Sequence, residues 1–331
     1  MSSGGRSVAI MAAGACVAML SACGASSGET GGDEDFTTSL QFGTANPGGV
    51  YYPLGAEYST IFEDTIEVDG LGVTAIETGA SVENLAKIGR GEIQLGLAQN
   101  NTAMDAVEGA GEFDGAQIEN AGFMGKLYPE ALHIVTREST GIESLAEAEG
   151  KRIAIGPPGS ASQQAAKDVL GAYGLDDGDY TALEEGFDDA KTKLQDGNAD
   201  IVMEIMGVPY AGLQELEATT GDVTFLPVGD AELQTMLDET SYEEYEIPAE
   251  TYEFLDEPVA TPSAFSCLFG STTQVSEDLG YEITKSLYEN ADQLTLPQKE
   301  DITTETALDG RGELPLHPGA ERYFEEAGIL G

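Results

Sequence analysis

Apolar and polar positions fall into short blocks along this chain, and one order of blocks repeats three times. Ser39 to Thr44 reads as a strand, stopped by Ala45-Asn46-Pro47-Gly48-Gly49. Between Tyr51 and Phe62, the residues Leu54, Tyr58, Ile61 and Phe62 line one side of a helix with Pro53 in its first turn. Gly72 to Ile76 is a second strand; Thr78-Gly79-Ala80-Ser81 follows, and a helix opens at Ser81 with Val82, Leu85 and Ile88 on one face. Ile93 to Ala98 is a third strand, leading through Gln99-Asn100-Asn101-Thr102 into a helix that reaches Ala106. A strand that empties into a small polar loop and then a helix, repeated in this way, predicts an α/β sheet with its loops gathered at one edge.

Further on, Leu132 to Thr136 is a strand ending at Arg137, and Gly141 opens what reads as a second lobe. Arg152 to Ile155 is a strand followed by Gly156-Pro157-Pro158-Gly159-Ser160. Ser160 as N-cap with Gln163 three positions on predicts a capping box, for a helix that stops near Gly171 or Gly174. A strand over Ala199 to Glu204, a helix over Val208 to Glu217 and a return path over Val223 to Val228 follow. The acidic run Tyr242 to Glu253 is expected to cross the surface, Cys267 to lie in a strand, and Tyr281 to Tyr288 and Ala320 to Glu326 to be helices. The expected division is residues 37–136 for lobe 1, 137–228 for lobe 2, and 229–331 for the return to lobe 1. Two crossings between lobes make a hinged clamp.

The first residues carry a separate message. Arg6, the apolar run from Val8 to Leu20, and then Leu20-Ser21-Ala22-Cys23 have the look of a lipoprotein signal over residues 1–22, with lipid on Cys23. Residues 23–36 hold almost nothing that builds a core and read as a flexible tether. An extracytoplasmic domain anchored to the outer face of the cell membrane is the expectation. An ordinary cleaved secretion peptide, with Cys23 incidental, is the alternative.

Charge alters the picture of the surface. Sixty Asp plus Glu against fourteen Lys plus Arg give a net charge of -46, with the acids spread along the whole chain. Such a coat is self-repelling in dilute buffer and largely screened at about 1 M salt, where the Debye length is about 3 Å. It fits a salt-loving source and excludes nucleic-acid phosphate as a partner. With Cys16 in the leader and Cys23 taken as the lipid site, Cys267 stands alone, and with His133 and His317 the two histidines neither a disulfide framework nor a metal centre can be assembled. The glycine-rich loop at 43–49 lacks both dinucleotide and Walker spacing, so no cofactor is expected. No nucleophile elbow or Ser-His-Asp trio stands out, which leaves hydrolysis unsupported.

What the loops offer is helix starts. First-turn amides lack intrahelical acceptors and sit at the positive end of the peptide dipoles, so they can hold a carboxylate without lysine or arginine. Ser81 with Asn84, and Ser160 with Ser162, are the strongest candidates. Thr44, Asn46, Gly48 and Gly49 add donors from the first loop, Gln99, Asn100 and Asn101 from the third, and Tyr51 and Tyr52 add ring surface and a phenol. Each of these alone is more often a helix start and nothing else; four loops across two lobes favour a ligand cleft. Lys126, expected to end a loop, and Arg137 at the crossing are weaker basic candidates.

Taken in order, these loops resemble a known family. Gly43-Thr44 through Gly48-Gly49-Val50-Tyr51-Tyr52-Pro53-Leu54-Gly55, then Thr78-Gly79-Ala80-Ser81-Val82-Glu83-Asn84-Leu85, then Leu97-Ala98-Gln99-Asn100-Asn101 are similar to motifs of the TAXI receptors of TRAP transporters. Leu127-Tyr128-Pro129-Glu130, Gly156 to Ser160, Asp200 with Gly207-Val208-Pro209, and His317 to Phe324 extend the resemblance over Leu40 to Ile329. It implies a two-lobed type II periplasmic-binding-protein fold with a hinged cleft between the lobes. It also implies a small organic anion as ligand, a glutamate-like amino acid or a dicarboxylate such as 2-oxoglutarate, and a fused TRAP membrane permease as partner. Carried over by motif, the ligand-binding residues are Thr44, Asn46, Gly49, Tyr51, Ser81, Asn84, Gln99, Asn100, Ser160 and Ser162. Asparagine at 100 and 101 departs from the motif by removing an acid, which Glu204 can replace. The expectation is a monomeric receptor without a catalytic step. The alternatives are the binding lipoprotein of an ABC amino-acid importer and a non-transport surface or immunogenic protein.

Overall fold

A computed structural model describes residues 36–330. The proposed signal over 1–22, Cys23 and nearly all of the tether lie outside the described residues. In chain order the elements are β1 (Ser39–Gly43), α1 (Tyr51–Thr65), β2 (Gly72–Ile76), α2 (Ser81–Gly89), β3 (Leu95–Gln99), α3 (Asn100–Glu108) and β4 (Ala121–Arg137). Then come β5 (Arg152–Ala154), α4 (Ala161–Ala172), β6 (Thr181–Leu183), α5 (Phe187–Gln195), β7 (Ile201–Gly207), α6 (Ala211–Thr220), β8 (Val223–Phe225) and α7 (Asp230–Glu239). The last are β9 (Glu243–Ile247), β10 (Val259–Ser271), α8 (Glu277–Glu289) and α9 (Pro318–Glu326).

All the strands belong to one mixed sheet in the order β2-β1-β3-β10-β4-β7-β5-β6, with β8 on β4 and β9 on β10. Parallel pairs stand at the two ends, β1 with β2 and β3, and β5 with β6 and β7. The antiparallel strands β10 and β4 join them in the middle. β4 is 17 residues long and buried along almost its whole length, as a strand covered on both faces must be. The breaks expected near 137 and 228 fall at the end of β4 and between β8 and α7. The strands that run unbroken between the two ends are β4 and β10.

Helices cover the sheet because each has one apolar stripe to bury. α1 turns Leu54, Tyr58, Ile61 and Phe62 inward, into a core shared with Leu279 and Ile283 of α8 and Phe324 of α9. The opposite face of this lobe packs Leu85 and Ile88 of α2 with Phe123, Phe269 and Leu314. A separate cluster of Ile134, Ile153, Val169, Leu170, Ile201 and Met203 forms the core of the second lobe.

Several elements depart from expectation for local reasons. Lys126, expected to end a loop, sits inside β4, whose first half also holds Gly122, Gly125, Pro129 and Glu130. The acidic run expected to cross the surface includes β9, a largely exposed edge strand on β10, and acids on such an edge oppose pairing with another chain. Around α4, Ser160 Oγ accepts from Gln163 N at 3.1 Å, but the reciprocal half of the expected capping box is missing. Ser160 N donates to Pro157 O, and the Gln163 side chain turns to Glu184. No helix among the described residues is long and apolar enough to cross a membrane.

Candidate ligand-binding cleft

The loops that leave β1 and β2, the end of β3 and the middle of β4 meet the loop before α4 and the end of β7 across a cleft. It encloses about 460 Å³ of open space, mouth included. From the first lobe come Ala45, Asn46, Gly49, Val50, Tyr51, Ala80, Ser81 and Gln99, with Glu130 on the floor. The second lobe contributes Pro157, Ser160, Ala161, Ser162, Glu204, Ile205 and Met206. Ser81 and Ser160, at two helix starts far apart in sequence, therefore face one space.

Of the residues expected from sequence, Asn46, Gly49, Tyr51, Ser81, Gln99, Ser160, Ser162 and Glu204 line this cleft. Thr44, Asn84 and Asn100 do not. The Thr44 hydroxyl donates to Ile76 O at 2.6 Å, while its carbonyl accepts from Thr78 Oγ1 at 2.9 Å and Asn84 Nδ2 at 2.8 Å. Asn84 Nδ2 also donates to Leu97 O at 2.8 Å, so this amide ties the ends of β1 and β3 together. Asn100 donates to Gly310 O at 3.0 Å and accepts from Phe265 N at 2.8 Å, pinning α3 to β10. The Thr44 hydroxyl, the Asn84 amide nitrogen and the Asn100 amide are engaged in holding backbone, while Asn84 Oδ1 is buried without a partner. The basic candidates are likewise engaged elsewhere: Arg137 with Asp222 at 2.6 Å and Lys126 with Asp309 at 3.4 Å.

Glu130 is the cleft residue that sequence reading passed over as a site. Its signal was an acid in the run from Leu127 to Val135, which is apolar apart from His133. Its Oε2 accepts from Tyr51 OH at 3.0 Å and from Gln99 Nε2 at 2.8 Å. Burial pushes this carboxyl up to about 7 against the pull of those hydrogen bonds. Glu204 lies opposite in β7. It is 3% exposed, burial raises it to about 8, and its Oε1 has no hydrogen-bond partner. Gln99 Oε1 is also buried without a partner.

The two helix starts differ. α2 is preceded by Ala80 at φ 74° and ψ -143°, and it carries no side-chain cap. Ala80 is the one non-glycine residue at positive φ among the described residues, a conformation that costs an alanine about 1–3 kcal/mol and gathers at functional sites. Ser81 Oγ accepts from Gln99 N at 3.1 Å, so α2, whose start at Ala80 and Ser81 lines the cleft, has no side-chain cap. Glu83 of its first turn accepts from Gly79 N at 2.6 Å. α4 is capped by Ser160, and Ser162 Oγ accepts from Ile205 N at 3.1 Å, tying α4 to β7. The lips meet closely: a Cβ at Gly79 would stand 3.1 Å from Pro158 O, and one at Gly186 2.9 Å from Asn46 Nδ2. Tyr210 OH donates to Gly48 O across the same gap.

A family profile described as the NMT1-like family matches residues 42–328, nearly everything described. The chain belongs to the NMT1-like family. This member overlays the alkanesulfonate-binding protein SsuA from Xanthomonas axonopodis pv. citri bound to MOPS with a TM-score of 0.50 at 18% identity, covering 88% of this chain and 84% of that one. It overlays PhnD1 from Prochlorococcus marinus (MIT 9301) in complex with methylphosphonate with a TM-score of 0.53 at 10% identity, covering 88% and 99%. A further match is an ABC uptake transporter substrate binding protein from Streptococcus pneumoniae with bound histidine, at a TM-score of 0.45 and 15% identity over 75% and 85%. The fold of this NMT1-like protein is thus the α/β architecture of type II periplasmic binding proteins, built on a curled mixed sheet. The same matches correct the expectation of a TAXI receptor delivering to a fused TRAP permease. What the chain overlays is an alkanesulfonate-binding protein and a methylphosphonate complex.

Proposed function

We propose that this chain is the extracytoplasmic solute-binding component of an ABC-type uptake system, and that it captures a small polar solute bearing an anionic group between its lobes. One observation carries the reading: the uncapped start of α2 and the Glu204 end of β7, from different lobes, line one cleft without a lysine, arginine or histidine. An anionic group satisfies the α2 amides at contact distance, where the acidic coat is screened by water and salt. A solute touching both sides selects the closed arrangement, so that capture and closure are one equilibrium. Val50, Ile205 and Met206 give the solute an apolar wall. The protein works as a monomer and performs no catalytic step, its partner being a permease with an ATPase.

Titration calorimetry in molar salt against amino acids, dicarboxylates, sulfonates and phosphonates tests the ligand class; no heat from any of them, with folded protein, removes the reading. Reconstitution with the cognate permease tests the partner: uptake is expected to require ATP, and uptake driven by an ion gradient alone excludes it. Mass measurement of membrane-extracted protein is expected to find diacylglycerol on Cys23.

A further inference from the structure

Two side-chain acceptors buried in the cleft have no donor to meet them. Glu204 Oε1 and Gln99 Oε1, on residues 3% and 1% exposed, both lack a partner. Glu130 takes donors from Tyr51 and Gln99, whereas the Ser162 hydroxyl, which also accepts from Ile205 N, is the one side-chain donor that offsets the burial of Glu204. A carboxylate taken out of water without a cation or several donors is held as the neutral acid until a donor arrives.

We propose that Glu204 selects solutes that carry a hydrogen-bond donor, an ammonium group above all, and that its own proton leaves for solvent when that group enters the cleft. This deepens the solute-binding reading above and rests on it. The step balances: a carboxylic acid and a bound ammonium become a carboxylate–ammonium pair and one released proton. Around Glu204, β4 presents Glu130 on the cleft floor and His133 opposite it in the strand register. His133 is held neutral by burial, with Nε2 at 2.7 Å from Tyr252 OH. Tyr210, leading α6, is a neutral phenol whose hydroxyl is turned to Gly48. α4 brings Ser162, and β5 and α5 bring no charged side chain to the lining. Burial raising Glu204 to about 8 means that the empty cleft holds this proton at neutral pH.

The test is calorimetry of the full chain at pH 7 in molar salt, run in phosphate and again in Tris. Protein amino acids are set against succinate, malate and 2-oxoglutarate. The dependence of heat on buffer ionisation gives the proton count. About one proton released per bound amine is expected at pH 7, falling toward none by pH 9, with affinity dropping up to about tenfold per pH unit below pH 8. Glu204→Gln is expected to abolish the release and to weaken amine binding about 30-fold or more. Amine binding without proton exchange overturns the proposal, as does unchanged release in Glu204→Gln or tighter binding of 2-oxoglutarate than of every amine. Those results leave the solute site standing. Failure of amines and acids alike to bind removes the site itself, and the wild-type buffer series needs no variant to fold.

Discussion

The starts of α2 and α4 face each other across one cleft and are built in opposite ways. α4 satisfies itself: Ser160 caps it, and Ser162 spends its oxygen on β7. α2 is left open by Ala80, which has no side-chain acceptor and holds a backbone angle suited to glycine. Similar serines therefore do different work, one as part of a helix end and the other beside an end free for a ligand. The free amides make the first lobe the donor side, and Glu204 makes the second the acceptor side.

The sharpest way to break this contrast is to give α2 the cap it lacks. Ala80→Asp places a carboxylate on the α2 amides and is expected to weaken solute binding about 100-fold, read by calorimetry, with the thermal midpoint unchanged or raised. Propping the lips apart comes next. Gly186→Ala meets the Asn46 amide and is expected to cost about tenfold in affinity while enlarging the liganded scattering radius. pH sharpens the comparison further. Both cleft carboxyls stand above their ordinary value of 4.5, so the empty folded chain keeps protons that the unfolded chain has lost. Their contribution is fully present below about pH 4.5 and is lost as pH rises through about 7 and 8. Burial pushes His133 and His317 down to about 4 from an ordinary 6.5, which raises stability with pH up to about 6.5. In molar salt the thermal midpoint is therefore expected to fall between about pH 6.5 and 8, and to fall less in Glu204→Gln. The smallest effect belongs to the self-satisfied end: Ser160→Ala is expected to cost about 1 kcal/mol of stability by denaturant unfolding and little affinity.

Much of the scaffold was readable because its signals are local. β2 and the start of α2 stand where apolar spacing puts them, and Ser81, Gln99, Ser160 and Ser162 were found as helix starts. Thr44, Asn84 and Asn100 misled because a buried amide or hydroxyl has the same sequence signature whether it grips a ligand or a backbone carbonyl; only the fold says which. Glu130 was missed because β4 mixes glycines, a proline and charges into its first half, and burial from both faces, which makes that run a strand, is decided by distant chain. The partner family was misread for a different reason: loops that cradle a solute are shared by binding proteins that serve unlike permeases.

β4 and β10 bring a last consequence. Any rotation of one lobe against the other must pass through this antiparallel pair. Their register slips between Ser266 and Cys267, and Ser266 stands opposite both Gln99 and Tyr128. Glu130 sits two residues from Tyr128 and is held by Gln99 and by Tyr51 of α1. A twist of the ribbon therefore reaches Glu130 through its hydrogen bonds from Gln99 and Tyr51, contacts that partly offset the burial of this carboxyl.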